Sequence, residues 1–454
     1  MTERNNEPII SVSGLRGIVG ESLTPEVAIR YVCAFADTLG EGPIIVARDG
    51  RTTGPMLAAA VLSGLCAVGR KVIDADIAAT PTVGILVRQY DAAGGIQISA
   101  SHNPPAYNGL KLFGKEGTIL NAAAGEPVTQ RYQAGRTAWV GHDRIGEVVR
   151  CADTLTQHAA LVLATVNVER IRSNRFRVLL DSNHSSSAPL GRHLLTELGC
   201  DLIHVGAEPD GRFAHPAEPT LENLADVCSQ VSEAGASIGF FPDPDGDRLA
   251  VADETGRYVG EECTLALCLD HVLSQRCGPV VANVATSRMA EDVSRRYGAP
   301  FSRSRVGEAN VVDMMRAHNA LFGGEGNGGV IDRRVGYVRD SFVGMALILD
   351  AMAAREMTLS RLVERLPRYH IQKGKLALDR EKLPQAVETL KELFADARYD
   401  ESVGMRFDWD DKWLLLHPSN TEPIVRIIAE TKSRDATEAL CREAAEALAA
   451  IQKA

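Results

Sequence analysis

One hydrophobic pattern occurs three times along the chain: a short run rich in β-branched residues, a polar loop, then apolar positions at helical spacing that end near a glycine. The copies are PIIVARDGRTTGPMLAAAVLSGLCAVG from Pro43, FRVLLDSNHSSSAPLGRHLLTELG from Phe176 and PVVANVATSRMAEDVSRRYG from Pro279. Each predicts a strand followed by a helix, and further strands follow, such as KVIDADI from Lys71 and DLIHVGA from Asp201. The copies lie about 100 to 130 residues apart, a domain's length. Three α/β domains fit this pattern, whether duplicated or alike only as α/β units commonly are. From about residue 371 the pattern changes: helical EKLPQAVETLKELFA and SRDATEALCREAAEALAAIQ surround strand-like WLLLH and PIVRIIAE, which predicts a smaller α+β domain.

Composition bounds what such a protein does. At 454 residues the chain exceeds a single hydrophobic core, and its 45% hydrophobic and 24% charged residues are those of a globular protein. A net charge of -10 and the lack of any long Lys/Arg run argue against a nucleic acid or an anionic membrane as partner. A small phosphorylated substrate needs only a local cationic pocket. The nine cysteines form no CxxC pair, which indicates reduced thiols and neither a disulfide framework nor a zinc site. MTERNNEP at the start lacks the apolar stretch of a signal peptide, so the expected location is the cytoplasm.

Four segments carry candidate chemistry. In GGIQISASHNPPAYNGLKLF, two extended stretches flank a loop that is expected to expose Ser101 and His102; without a GxSxG elbow an acyl-transfer serine is poorly supported, and a plain loop also fits. In SIGFFPDPDGDRLAVAD, a strand delivers Asp243, Asp245 and Asp247 on a tight turn, where three repelling carboxylates call for a hard divalent cation. An EF-hand fails there, because Arg248 stands where the loop glycine is required and the flanks are strands. FGGEGNGGVIDRR allows close backbone approach to a ligand, with Glu325 and Asn327 able to bond hydroxyls, although a flexible turn explains it equally well. WLLLHPSNTEPIVRIIAE places Ser419, Asn420 and Thr421 between two strands as an anion nest or an Asx turn, with His417 and Arg426 supplying positive charge.

Together, in this order and from Ser13 to Arg426, these segments resemble the α-D-phosphohexomutase superfamily. SGLRG, carrying Arg16, is similar to the family's N-terminal motif, SASHNPP to its phosphoserine loop, DPDGDR to its metal loop, GEGNGG to its sugar loop and PSNTEP to its phosphate loop. The resemblance implies an α/β fold of three similar domains with mixed sheets and a smaller C-terminal α+β domain around a central cleft. The expected divisions are 1–150, 151–258, 259–370 and 371–454, each with one of the four loops. It also implies that phosphorylated Ser101 passes its phosphoryl group to a hexose phosphate, giving a bisphosphate that reorients and returns its other phosphate. One Mg2+ would be held by a phosphate oxygen on Ser101 with Asp243, Asp245 and Asp247, and a hexose 1,6-bisphosphate would act as activator. Arg16 and Lys111 would stabilise charge, Lys111 or His102 would serve as general acid or base, and Arg248, Glu308, Glu325 and Asn327 would lie near the sugar.

Two departures qualify the match. Many relatives read GExSGH in the sugar loop, whereas Asn327 and Gly329 stand here at the serine and histidine positions, a form closer to archaeal-type members. His417 opens the phosphate loop where arginine is usual, which predicts a phosphate grip sensitive to pH. The sugar loop slightly favours glucosamine phosphate over mannose or glucose phosphate. A sugar phosphatase or a sugar-phosphate sensor is the more remote alternative.

Overall fold

The three copies fold as strand and helix pairs in the computed structural model, which describes residues 7–11, 13–402, 404–418 and 424–453. They are Ile44–Arg48 with Gly54–Ala67, Arg177–Asp181 with Ser187–Glu197, and Val280–Asn283 with Arg288–Arg296. Each helix ends in a left-handed glycine, Gly69, Gly199 or Gly298 (φ 80°, 71° and 64°). Their N–H groups bond back to Cys66, Thr196 and Arg295 carbonyls that the helix end leaves unpaired.

Among the described residues the strands form four sheets of seven, four, four and five strands. One plan recurs in the first three. The strand of each copy lies between two parallel neighbours, and the second of these turns back as an antiparallel hairpin. In sheet order this reads Tyr107–Gly114, Gly94–Ile98, Ile44–Arg48, Val72–Ile77 in the first domain and Leu249–Asp253, Ile238–Pro242, Arg177–Asp181, Asp201–Val205 in the second. In the third it reads Gly329–Asp332, Phe322–Glu325, Val280–Asn283, Phe301–Ser304. The mixed sheets are as expected, and their central strands are buried throughout because helices cover both faces. The first sheet gains Ile9–Ser11 and Gly14–Ile18 at one edge and Val148–Arg150 at the other.

The fourth sheet is antiparallel and packs on helices Leu383–Leu393 and Arg434–Lys453, the α+β unit read from the tail. The first domain has two cores, one of them joined by Val338, while the second and third share one apolar cluster running from Ala159 to Leu366 that also takes in Ala79 and Ile85 of the first. Helices Val168–Asn174 and Ser341–Arg355 meet in that cluster, and Arg170 donates to buried Asp350 at 2.7 and 3.0 Å across the seam. Among the described residues no helix is long and apolar enough to cross a membrane.

Candidate active site

Because the plan repeats, three hairpin turns leave the carboxyl ends of equivalent central strands, where open α/β sheets bind ligands. They are residues 99–106, 243–248 and 326–328, the serine, aspartate and glycine-rich segments.

The serine loop does not stand exposed as its polar composition suggests. Ser101 is 2% exposed, because the loop folds inward against the aspartate turn of the second domain. Its Oγ donates to Asp243 Oδ2 at 2.7 Å and lies 3.3 Å from His102 Nδ1. Ser101 is held in the left-handed region (φ 52°), unfavourable for a side chain with a Cβ. Burial first, then Arg248 and Arg16, push the His102 imidazole down to about 2, so it is neutral.

On the aspartate turn, Asp243, Asp245 and Asp247 are buried, with one oxygen from each inside a 4.8 Å cluster. Asp243 Oδ1 accepts the Asp247 and Arg248 amides at 3.0 and 3.1 Å, which fixes the turn. Asp245 Oδ1 and Asp247 Oδ1 accept no hydrogen bond from the described residues. Buried orphan carboxylate oxygens are costly unless a cation takes them, so the donor set fits a hard divalent metal. Burial and the two neighbouring carboxylates hold Asp243 well above the usual carboxylate range. Burial opposes ionisation of Asp247 too, but Arg339, Lys111 and Arg248 outweigh it and hold that group below its ordinary value.

Lys111 reaches this cluster from Tyr107–Gly114, pairing with Asp245 and, at 3.0 Å, with Asp247. Burial alone would depress its pKa, yet Asp245 and Asp247 raise it above the ordinary lysine value, so it stays charged. Arg16, on Gly14–Ile18, donates to Asn103 Oδ1 at 2.8 Å and so faces the serine loop. Arg248 is only loosely engaged, its Nε 3.9 Å from Asp247 Oδ1. Glu254, which stands twelfth counting from Asp243, where an EF-hand loop would carry its last ligand, instead accepts the Ser360 amide and hydroxyl.

The glycine-rich turn is tied to the same cluster by Arg339, which sequence reading missed. Its guanidinium donates to Asp247 at 2.6 Å and Glu325 at 2.5 Å, and its Nε lies 3.2 Å from Glu308. Burial would lower the Arg339 pKa, but the three carboxylates raise it well above normal. Arg339 also accounts for the departure at Gly329: a Cβ there would meet Arg339 Cδ at 2.3 Å, so the arginine occupies the space a larger residue needs. Glu308, pushed up to about 7 chiefly by burial, is the first residue of helix Glu308–Ala317 and also accepts the Arg339 amide at 2.9 Å. Asn327 Nδ2 is 3.5 Å from Glu325.

Ser419, Asn420 and Thr421 lie outside the described residues. The flanking His417 and Arg426 face each other in register on adjacent antiparallel strands. Other contributors without a sequence motif are Thr80, which donates to Asp245, and Arg51, which grips the serine loop. Nothing in spacing or composition separates these from ordinary surface cations and hydroxyls.

Four family models match the chain in order: phosphoglucomutase/phosphomannomutase alpha/beta/alpha domain I over residues 8–139, domain II over 156–256, domain III over 261–369 and the C-terminal domain over 375–447. A phosphoglucomutase/phosphomannomutase of Thermococcus kodakarensis is 36% identical over 434 residues, covering 93% of this chain and 94% of that one. A protein named probable phosphoglucosamine mutase, from Methanopyrus kandleri, is 34% identical over 429 residues with the same coverages, 93% and 94%. The crystal structure of a phosphoglucomutase/phosphomannomutase family protein from Burkholderia thailandensis, 27% identical, superposes with a TM-score of 0.80 over 98% of each chain. Fold, loops and relatives together define a phosphohexomutase. The chain belongs to the phosphoglucomutase/phosphomannomutase family.

Arg339→Met leaves Asp247, Glu308 and Glu325 buried without their shared cation. Urea unfolding is expected to show a loss of about 3–5 kcal/mol, against a change under about 1 kcal/mol if the arginine is dispensable.

Proposed function

We propose that this phosphohexomutase interconverts the 6-phosphate and 1-phosphate of a hexose through a phosphoryl group carried on Ser101, with one loop supplied by each of four domains divided near residues 150, 258 and 370. The observation that carries this reading is the Ser101 hydroxyl 2.7 Å from Asp243, inside a buried cluster of three aspartates with unpartnered oxygens. A magnesium ion held by Asp243, Asp245, Asp247 and a phosphoserine oxygen would supply neutralisation of the phosphoryl charge.

The chain's own residues do the positioning. Lys111, locked among Asp245 and Asp247, is a permanent positive charge beside the transferring group and a poor proton donor. Arg16 adds a second cation on the serine-loop side. Because the Ser101 hydroxyl proton goes to Asp243, neutral His102 orients Ser101 Oγ by donating its Nδ1–H to that oxygen, and a base this weak takes up no second proton near neutrality. In the first half-reaction a sugar hydroxyl loses its proton as its O–P bond forms and Ser101 Oγ gains one as the Ser101 O–P bond breaks; in the second, Ser101 Oγ loses its proton as it takes the other phosphoryl group and the sugar oxygen released gains one. A hexose 1,6-bisphosphate would phosphorylate Ser101 at the outset.

Arg248, Glu308, Glu325 and Asn327 would meet the sugar, and Ser419, Asn420, Thr421, His417 and Arg426 the phosphate that is not reacting. Glucosamine phosphate is the favoured substrate, supported by the archaeal-type sugar loop and the Methanopyrus kandleri relative. Mannose and glucose phosphates form the second reading, supported by the Thermococcus kodakarensis relative. The nine free cysteines suit a reducing cytoplasm, where we place the enzyme.

With magnesium and a hexose 1,6-bisphosphate, the protein is expected to convert glucosamine 6-phosphate faster than mannose 1-phosphate or glucose 1-phosphate, and Ser101→Ala to lose conversion of all three. Phosphate release without isomerisation would instead identify a phosphatase.

Magnesium at saturating concentration is expected to raise the thermal midpoint, at about 100 times its Kd by an amount equivalent to about 2.7 kcal/mol. Asp245→Asn should lose that shift. A shift unchanged in Asp245→Asn would move the metal elsewhere.

Burial first, then Arg426, hold His417 below the ordinary histidine range, so its charge is present only below that lowered pKa and vanishes as pH rises through it. The pH-sensitive limb therefore falls on the acid side, below about 6.5, not near neutrality. KM for the sugar phosphate is expected to rise along that limb in the wild type and to stay flatter in His417→Arg. Identical KM profiles would remove His417 from the phosphate grip.

A further inference from the structure

Arg51 is almost wholly buried, 1% exposed, at the turn after Ile44–Arg48, yet it reaches neither the aspartate cluster nor the glycine-rich turn. Four of its five side-chain hydrogen bonds hold the backbone from Ser101 to Tyr107, and the fifth goes to Asp49. Nε donates to Asp49 Oδ2 at 3.0 Å, while Nη2 donates to the Ser101 and Asn103 carbonyls at 2.6 and 2.7 Å. Nη1 donates to the Pro104 and Tyr107 carbonyls at 2.9 and 3.1 Å. One planar fork thus gathers three carbonyls of the serine loop and that of Tyr107, where the next strand begins, an arrangement a lysine ammonium has neither the donors nor the geometry to copy.

Asp49 completes the clamp from below. It is fully buried and accepts the Ser99 hydroxyl at 2.6 Å, and that hydroxyl in turn accepts the Ser101 amide at 2.8 Å. Both backbone polar groups of Ser101 are therefore pinned, its N–H through Ser99 and Asp49 and its carbonyl by Arg51. This is the residue whose backbone sits at φ 52°, a conformation that persists only where its surroundings impose it. The second domain braces the clamp: Phe213 lies over the guanidinium at 5.1 Å, and the Ser186 amide is shared by the Asp49 and Pro244 carbonyls at 3.0 and 3.2 Å. Pro244 sits between Asp243 and Asp245, so one amide ties the serine clamp to the aspartate turn.

We propose that Arg51, with Asp49 and Ser99, is a positioning device that forces Ser101 into the left-handed conformation aiming its Oγ at Asp243, and that phosphoryl transfer depends on this aim. The proposal rests on the reading that Ser101 carries the phosphoryl group. Arg51 touches no reacting atom; it acts through the backbone of the residue that does. A phosphoserine freed from the clamp stays chemically intact but is misaligned, so turnover falls more than substrate binding, and water competes for a phosphoryl group no longer delivered to the sugar hydroxyl.

The test compares Arg51→Lys, Arg51→Met and Ser99→Ala with wild type, each checked for folding by circular dichroism. It measures kcat, KM and the inorganic phosphate released per turnover from enzyme phosphorylated with glucose 1,6-bisphosphate. The expected result is a kcat lower by about 100-fold in both Arg51 variants and by about 10-fold in Ser99→Ala. KM is expected within about threefold of wild type, with more phosphate released per turnover. Failure of lysine to restore kcat shows that the fork matters and the charge does not. If Arg51→Met does not fold, Ser99→Ala decides, since it removes one hydroxyl and leaves the ion pair. Wild-type kcat in folded Arg51→Lys and Ser99→Ala overturns the proposal. Ser101→Ala separates the two layers: if it stays active the phosphoserine reading fails, whereas if it is dead while the clamp variants match wild type only the positioning inference fails.

Discussion

The structure turns on three aspartate carboxylates buried within 4.8 Å of one another on a single tight turn. Like charges so close and so far from water are unstable unless cations are brought to them. The chain brings two, from different domains: Lys111 from the first and Arg339 from the third, both converging on Asp247. Assembly of the three domains is therefore also neutralisation of the site. A folded second domain alone would set only its own Arg248 against the repulsion, which gives each hairpin turn a reason to sit against the others.

Repetition of one topology makes this convergence possible. In each of the first three domains the functional turn leaves the same strand end, so packing three copies brings three turns together without a separate device for each. What differs is the chemistry placed on an identical frame: a hydroxyl on the first turn, carboxylates on the second, glycines on the third. The glycines are demanded by neighbours, as at Gly326, where a Cβ would fall 2.1 Å from the Glu262 carboxylate oxygens. The open backbone of that turn is the space left by two large polar side chains, Glu262 and Arg339.

This division explains what was legible in the chain. The strand and helix copies, the α+β tail and the aspartate turn were readable because periodicity and local spacing encode them, and DPDGDR needs no tertiary knowledge to suggest a cation site. The burial of Ser101 was not readable, since a polar, proline-containing loop looks solvent-facing until a domain more than a hundred residues away covers it. Arg51 and Arg339 were hidden for the same reason. Each is an arginine among many, distinguished only by carbonyls and carboxylates that the sequence scatters over distant segments. The shared core of the second and third domains likewise depends on helices whose apolar faces show no partner until they meet.

The fourth domain is attached on different terms. Among the described residues a small apolar cluster of Val284, Trp413, Leu415 and Ile428 joins it to the third, together with a bond from Arg305 to the Ser402 carbonyl and polar contacts on the segment from Asn283 to Ser287 and on Arg288 just after it. Arg406 donates to the Val284 carbonyl at 2.5 Å, and Glu430 accepts the Arg288 amide at 2.9 Å. The same segment supports the glycine-rich turn, because Asn283 donates to Glu325 at 2.6 Å and Thr286 accepts the Gly326 amide at 3.1 Å. One short stretch therefore serves as the seat of the fourth domain and as a strut under the turn assigned to the sugar. Any shift in that seat must be felt at Glu325, whose carboxylate also holds Arg339 against the aspartates. The fourth domain is thus mechanically continuous with the charge cluster at the centre of the molecule, although none of its described residues hydrogen-bonds or ion-pairs with the aspartates directly.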